Sequence, residues 1–133
     1  MTDSETRDLV RRRANNRCEY CLLRQEHSDL AHHVEHIVAK QHGGSDEAAN
    51  LALACHRCNL RKGPNLTGIE PSTNEIVPLF HPRRDQWDDH FRIRGTRIEG
   101  ITAVGRATVQ VLAMNDARRL SLRLEFLVRD DFL

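Results

Sequence analysis

The chain has 133 residues, with 20 Lys and Arg against 19 Asp and Glu, which gives a formal net charge of +1. This length predicts a single domain. Hydrophobic residues make up 39% of the chain and charged residues 29%, a balance typical of a soluble globular protein and not of a disordered or fibrous one. The near-zero net charge excludes a protein that binds nucleic acid by bulk charge alone, although a local basic surface stays possible.

No apolar run approaches the roughly 20 residues that span a bilayer, and residues 1–13 lack the apolar core of a secretory signal. We therefore expect a cytoplasmic protein without a membrane segment. Aromatic residues make up only 5% of the chain, which predicts a small core built mainly from Leu, Val, Ile and Ala. A bound metal would help to stabilise a core of this kind.

The four cysteines form two CxxC pairs, Cys18 with Cys21 and Cys55 with Cys58. Disulfides are not expected in the cytoplasm, and four thiolates are the ligand set of a closed, structural zinc site. Two alternatives stay open at this point, namely a redox-active CxxC and four buried thiols. Attachment of haem is excluded because neither pair is followed by His.

In the first half of the chain the pattern of apolar residues predicts a helix that begins at an N-cap Ser4, followed by two strands and a short helix that ends at Gly63 and Pro64. We place these elements at residues 4–17, 30–38, 50–54 and 56–62. One face of the first helix is basic, and it is either a solvated surface or a phosphate contact. Its arginines are Arg7, Arg11, Arg12, Arg13 and Arg17.

In the second half we expect a hairpin, a helical turn around Trp87, two short strands around Gly95, and a helix that begins at Thr102 and ends at Asn115. The hairpin, the turn and the pair of strands fall at residues 69–76, 86–91 and 91–101. The segment from 120 to 128 fits a strand or a helix by periodicity, and its Arg, Leu and Glu content favours the helix.

The residues between the cysteine pairs and just after them include candidate metal ligands and a candidate general base. Glu35 has a carboxylate, which is a hard ligand suited to Mg²⁺ or Mn²⁺. The next residue, His36, has an imidazole suited to general base catalysis near neutral pH. Asn50 and Asn59 follow, and the amide oxygen of Asn59 could also bind a metal.

Taken in order and at this spacing, these residues resemble the HNH endonuclease family in its four-cysteine form. The resemblance covers about residues 14–63 and is carried by Cys18, Cys21, Glu35, His36, Gly43, Gly44, Asn50, Leu51, Cys55, Cys58, Asn59 and Lys62. The segments Leu79-Phe80-His81-Pro82-Arg83 and Trp87-Asp88-Asp89-His90-Phe91 resemble an extension found in a bacterial subset of the family.

The resemblance implies an α+β fold, a ββα-metal finger with a structural zinc. It would form one domain over residues 1–133, in which about 64–133 add a C-terminal region of hairpins and helices. It also implies metal-dependent hydrolysis of DNA with a separate Mg²⁺ or Mn²⁺, in a chain that acts alone, as a homodimer or with a partner protein.

The resemblance further implies a role for each site residue. His36 would be the general base, and Glu35 and Asn59 would hold the divalent ion. Asn50 would fix the loop and orient the imidazole. The flanking phosphates would be held by three basic residues of the short helix, Arg57, Arg61 and Lys62.

Two residues differ from the commonest family pattern, and the geometry of a strand adds a condition. Glu35 stands where Asp is frequent, and Asn59 stands where many members have His. Successive side chains of a strand point to opposite faces, so Glu35 and His36 can share one metal only if the strand ends or bends there. His33 is either an accessory residue or an ordinary strand residue.

Two functions of other classes remain as alternatives. A zinc-stabilised module that binds nucleic acid without cleaving it would keep both cysteine pairs but would not need Glu35, His36 or Asn59. A thiol redox protein would have reactive thiols and no zinc.

Overall fold

The computed structural model describes residues 3–128. Five helices and six strands, separated by turns and single helical turns, are arranged as three antiparallel hairpins. The helices are α1 (Ser4–Arg13), α2 (His56–Lys62), α3 (Trp87–His90), α4 (Ala103–Val111) and α5 (Ala117–Val128). The strands are β1 (His33–His36), β2 (Leu51–Ala54), β3 (Thr67–Ile69), β4 (Ile76–Pro78), β5 (Phe91–Arg94) and β6 (Arg97–Gly100).

Strands β1 and β2 and helix α2 form the predicted ββα unit. The strands pair antiparallel, with Glu35 opposite Ala52 and His36 opposite Leu51. Helix α2 follows β2 directly, and it has the predicted bounds because the Cys55 side chain caps its first turn and Gly63 ends it. All four residues of β2 are buried, so this strand lies in the interior of the finger.

Helix α1 is shorter than predicted, and its cap differs. Asp3, not Ser4, is the N-cap, because its carboxylate accepts a hydrogen bond from Thr6 N at 2.8 Å. The helix ends at Arg13 because Asn15 and Asn16 adopt positive φ angles and turn the chain towards the first cysteine pair.

One arginine of the basic α1 face has a structural role. Nη2 of Arg13 donates to the carbonyl oxygens of Ala48 and Leu51, at 2.7 and 2.5 Å. Val10 packs against Leu51 and Leu53 on the same side of the finger. Arg13 therefore attaches α1 to the ββα unit. This role differs from both predictions for the basic face, a solvated surface and a phosphate contact.

The second half contains the predicted hairpins and helices, but α4 ends at Val111, before the expected Asn115, and Ala113 adopts a positive φ angle. The hairpin of β3 and β4 turns through residues 70–75, and the last segment is helical as its composition indicates. In residues 3–128 no helix is both long and apolar enough to cross a membrane.

The core is more aromatic than composition predicts. The single Tyr, the single Trp and two of the four Phe meet in one cluster, which also contains the four cysteines. Phe80 packs edge-on against Tyr20 and Phe91, and Trp87 donates from Nε1 to the Tyr20 carbonyl oxygen at 2.8 Å. The second half of the chain therefore packs directly on the finger.

Candidate metal centre and catalytic site

The four cysteine sulfurs lie within 4.8 Å of one another, and all four residues are buried. Sγ of Cys21 and Sγ of Cys55 are 3.6 Å apart. Tetrahedral zinc with Zn–S distances near 2.3 Å sets its sulfurs about 3.8 Å apart, so the cluster could hold one zinc ion. Burial raises the pKa of the Cys18 thiol, whereas hydrogen bonds from the neighbouring cysteines lower the pKa of Cys21, and a bound cation would favour the thiolate form of the cluster.

The Glu35 carboxylate is buried on the side of β1 that faces α2. Its Oε1 accepts a hydrogen bond from the Tyr20 hydroxyl at 2.5 Å, and its Oε2 lies 3.3 Å from Nζ of Lys62. Burial raises the pKa of Glu35, although the nearby Lys62 ammonium acts in the opposite direction. A buried carboxylate that keeps a cationic partner has the chemistry of a cation ligand.

Lys62 does not lie where a phosphate contact requires it. Only 2% of the residue is exposed, and Nζ donates to the Ile37 carbonyl oxygen at 2.9 Å. The expectation that Lys62 holds a phosphate is therefore replaced by a structural role, in which it ties α2 to the end of β1. Arg61 is exposed, and Arg57 is partly exposed at 3.8 Å from Asp116, so both arginines remain accessible at the surface of α2.

His36 is the last residue of β1 and lies at the surface, with 26% of its side chain exposed. Its Nε2 donates to Oδ1 of Asp46 at 2.7 Å, while Oδ2 of Asp46 accepts from Lys40 at 2.9 Å. The hydrogen bonds from His36 and Lys40 hold the pKa of Asp46 well below its usual range. The imidazole is therefore oriented by an ionised carboxylate at Nε2, and Nδ1 is the ring nitrogen that Asp46 does not engage.

Asn50 fixes the loop between the two strands. Its Oδ1 accepts from Val38 N at 2.9 Å, and its Nδ2 donates to the carbonyl oxygens of Val38 and Ser45 at 2.9 and 2.8 Å. A Cβ at Gly44 would overlap the Val38 carbonyl oxygen, so the loop needs glycine here. Asn50 has the loop position that was expected, but the side chain that orients the imidazole belongs to Asp46.

Glu35 and His36 lie on opposite faces of β1. His33 and Glu35 face α2, where His33 Nε2 lies 3.3 Å from His56 Nδ1, and Val34 packs on the α1 side. The half-buried Asn59 lies on α2, and within residues 3–128 its side-chain amide has no hydrogen-bond partner. The amide is therefore free to bind a ligand.

Three further histidines, His42, His81 and His90, lie apart from these contacts. His42 is exposed in the loop after β1. Nδ1 of His81 accepts from Arg83 N, and Nδ1 of His90 lies 2.6 Å from the Thr102 hydroxyl, so these two stabilise the second half.

Two contacts of the site were missed from the sequence, those of Tyr20 and Asp46. Each residue is close in sequence to a recognised motif, because Tyr20 lies inside the first CxxC and Asp46 follows Gly-Gly-Ser. Tyr20 could have been found as the only tyrosine of a chain poor in aromatic residues. Asp46 could have been found as the first carboxylate after the glycines of the loop.

Comparison with known proteins agrees with this geometry. Residues 18–65 match the family model described as HNH endonuclease. The chain is 30% identical over 114 residues to the Septu protein PtuB of Bacillus thuringiensis. The match covers 80% of this chain and 40% of that protein, so the chain spans well under half of the relative's length. No solved structure matches the chain.

The matched segment contains both cysteine pairs, the β1–β2 hairpin and α2, with His36 and Asn50 at its centre. The chain thus contains a nuclease-type domain of α+β fold, and residues 18–65 belong to the HNH endonuclease family.

Proposed function

We propose that the chain is a metal-dependent endonuclease that hydrolyses DNA phosphodiester bonds, with His36 as its general base. The observation that carries this proposal is the bond from His36 Nε2 to Asp46. A carboxylate on one ring nitrogen fixes the tautomer, so that the other nitrogen can take a proton from water. Asn50 supports this arrangement because it holds the loop that carries Asp46.

We assign the divalent ion, Mg²⁺ or Mn²⁺, to Glu35 and Asn59. The donor set fits, because a carboxylate and a free amide oxygen are hard ligands that leave positions for water and phosphate. Tyr20 holds the Glu35 carboxylate through Oε1, and Lys62 is held at the end of β1 by the Ile37 carbonyl oxygen; Glu35 and Asn59 would be the two residues that hold the ion. The ion, when bound, would neutralise negative charge on the phosphate during cleavage.

Arg57 and Arg61 are the proposed phosphate contacts. They lie one turn apart on α2, the helix that also carries Asn59, and a guanidinium can hold a phosphate through two parallel hydrogen bonds. The proposed backbone contacts and the proposed cation ligand Asn59 are thus carried by the same short helix. A homodimer or a partner protein would then decide whether one strand or both are cut.

Asn59→Ala tests the cation site, with Leu60→Ala at the next, exposed position as the matched control. The zinc-loaded proteins are incubated with supercoiled plasmid over a range of Mg²⁺ or Mn²⁺ concentrations. We expect nicking by the wild type and by Leu60→Ala, and nicking by Asn59→Ala only at higher metal concentrations. Equal metal dependence in all three proteins would overturn the assignment.

The same experiment distinguishes the alternative function. A nucleic-acid-binding module would retard the plasmid in a gel and leave it supercoiled at every metal concentration. That result with the wild-type protein would contradict the proposed hydrolysis.

A further inference from the structure

Helix α5 places a buried arginine against the cysteine cluster. Nη2 of Arg119 lies 2.9 Å from Sγ of Cys58 and 3.8 Å from Sγ of Cys55, and only 5% of the residue is exposed. The other terminal nitrogen, Nη1, donates to the Leu112 carbonyl oxygen at 2.7 Å. The guanidinium thus joins the end of α4 to two of the four sulfurs.

The opposite charges of the guanidinium and the zinc-bound thiolates make this contact favourable. When four thiolates bind one zinc ion, two net negative charges remain at a buried site. A buried guanidinium is also costly unless it has an anionic partner. Arg119 makes its polar contacts with carbonyl oxygens and cysteine sulfurs, so the thiolates are the anions that compensate its charge.

We propose that Arg119 is a positioning residue of the zinc site, which donates to the sulfurs of Cys58 and Cys55 and offsets part of their charge. Zinc retention then depends on the packing of α5 against the cysteine cluster, because Arg119 is carried by that helix, 61 residues after Cys58. The metal site is therefore built from three segments of the chain, and the C-terminal helix belongs to it. This inference does not depend on nuclease activity.

A second arginine of α5 provides a matched control. Arg123 lies one turn after Arg119, is 8% exposed, and donates to the carbonyl oxygens of Met114 and Thr96 at 2.6 and 3.1 Å. It fixes α5 through backbone oxygens, as Arg119 does, but among residues 3–128 it donates to none of the four cysteine sulfurs. A loss of packing is therefore common to both variants, and a loss of thiolate contacts is specific to Arg119.

The experiment compares Arg119→Met, Arg119→Lys and Arg123→Met in the full chain. Zinc affinity is measured by competition with a chromophoric chelator, and the thiolate-to-metal charge-transfer band is recorded after substitution with Co²⁺. Loss of a residue that bonds to metal ligands typically weakens affinity about 10- to 100-fold, which we expect for Arg119→Met. Arg119→Lys keeps the charge without the planar fork, so we expect an intermediate loss.

We expect Arg123→Met to lower the melting temperature but to keep both the zinc affinity and the Co²⁺ band of the wild type. If Arg119→Met does not fold, Arg119→Lys is used for the test. Its Co²⁺ charge-transfer band should be shifted relative to that of the wild type. Equal zinc affinities for the Arg119 and Arg123 variants, with the same Co²⁺ band, would overturn the proposal and leave Arg119 as a packing residue.

Discussion

The buried ammonium of Lys62 lies 3.3 Å from the Glu35 carboxylate and donates to the Ile37 carbonyl oxygen, so one side chain joins α2 to the end of β1. The pair is nearly inaccessible, with 2% and 6% of the two side chains exposed. Lys62, which was predicted to contact a phosphate, is thus buried in the interior, while its neighbour Arg61 is exposed.

Lys62→Met should therefore lower the stability of the protein, whereas Arg61→Met should lower its affinity for DNA. Removing Lys62 leaves the Glu35 carboxylate buried without its cation, which typically costs about 3–5 kcal/mol of stability. Removing Arg61 should leave the free energy of unfolding nearly unchanged, but it should weaken DNA binding and reduce the salt slope by about one. Urea unfolding and DNA titrations at several salt concentrations measure the two effects. Equal losses of stability would contradict the distinction.

Asp46→Asn should reduce activity without unfolding the protein. The neutral amide no longer holds the imidazole by a charge-assisted bond, and because general base catalysis contributes about 10²- to 10⁴-fold, we expect a loss of up to that factor. Plasmid nicking measures the rate, and circular dichroism should show a folded variant with a moderately lower melting temperature, because the ionised Asp46 carboxylate accepts from both His36 and Lys40. Lys40→Met is the control, since it removes a second partner of Asp46 and should change the rate little. A rate for Asp46→Asn equal to that of the wild type would exclude an orienting role.

Glu70 should make stability depend on pH in the acid range. It is buried in the β3–β4 turn, and hydrogen bonds from Ser72 and the Arg106 guanidinium lower the pKa of Glu70 to about 2. Because the folded pKa is below the unfolded value of about 4.3, this stabilisation is complete above about pH 5 and is lost as the pH falls towards 2.

The measurement for Glu70 is the difference in melting temperature between the wild type and Glu70→Gln at pH 8, 6 and 4. We expect the wild type to be more stable by the same amount at pH 8 and 6 and by less at pH 4. Acid release of zinc affects both proteins, so the difference isolates Glu70. A difference that is unchanged at pH 4 would contradict this account.

Local sequence patterns predicted the elements of the fold well. Helix α2 has the expected bounds because the signals that set them, Cys55 at its start and Gly63 at its end, are adjacent to it in sequence. Helix α1 is shorter than expected because the positive φ angles of Asn15 and Asn16 end it, and apolar periodicity does not contain that information.

Contacts between distant residues could not be predicted. Trp87 and Tyr20 are 67 residues apart, and Arg119 and Cys58 are 61 apart, so no local pattern relates them. The role of Lys62 was misassigned because its type and its position on α2 are shared with surface arginines, and only packing shows that it is buried.

The most direct test of the central claim is plasmid nicking by zinc-loaded wild type, His36→Ala and His42→Ala in Mg²⁺ or Mn²⁺. His42 is an exposed histidine of the same loop region and serves as the matched control. General base catalysis contributes about 10²- to 10⁴-fold, so we expect His36→Ala to lose activity by that factor and His42→Ala to retain it. Intact DNA with the wild-type protein in both metals, or equal cleavage by His36→Ala, would contradict the account.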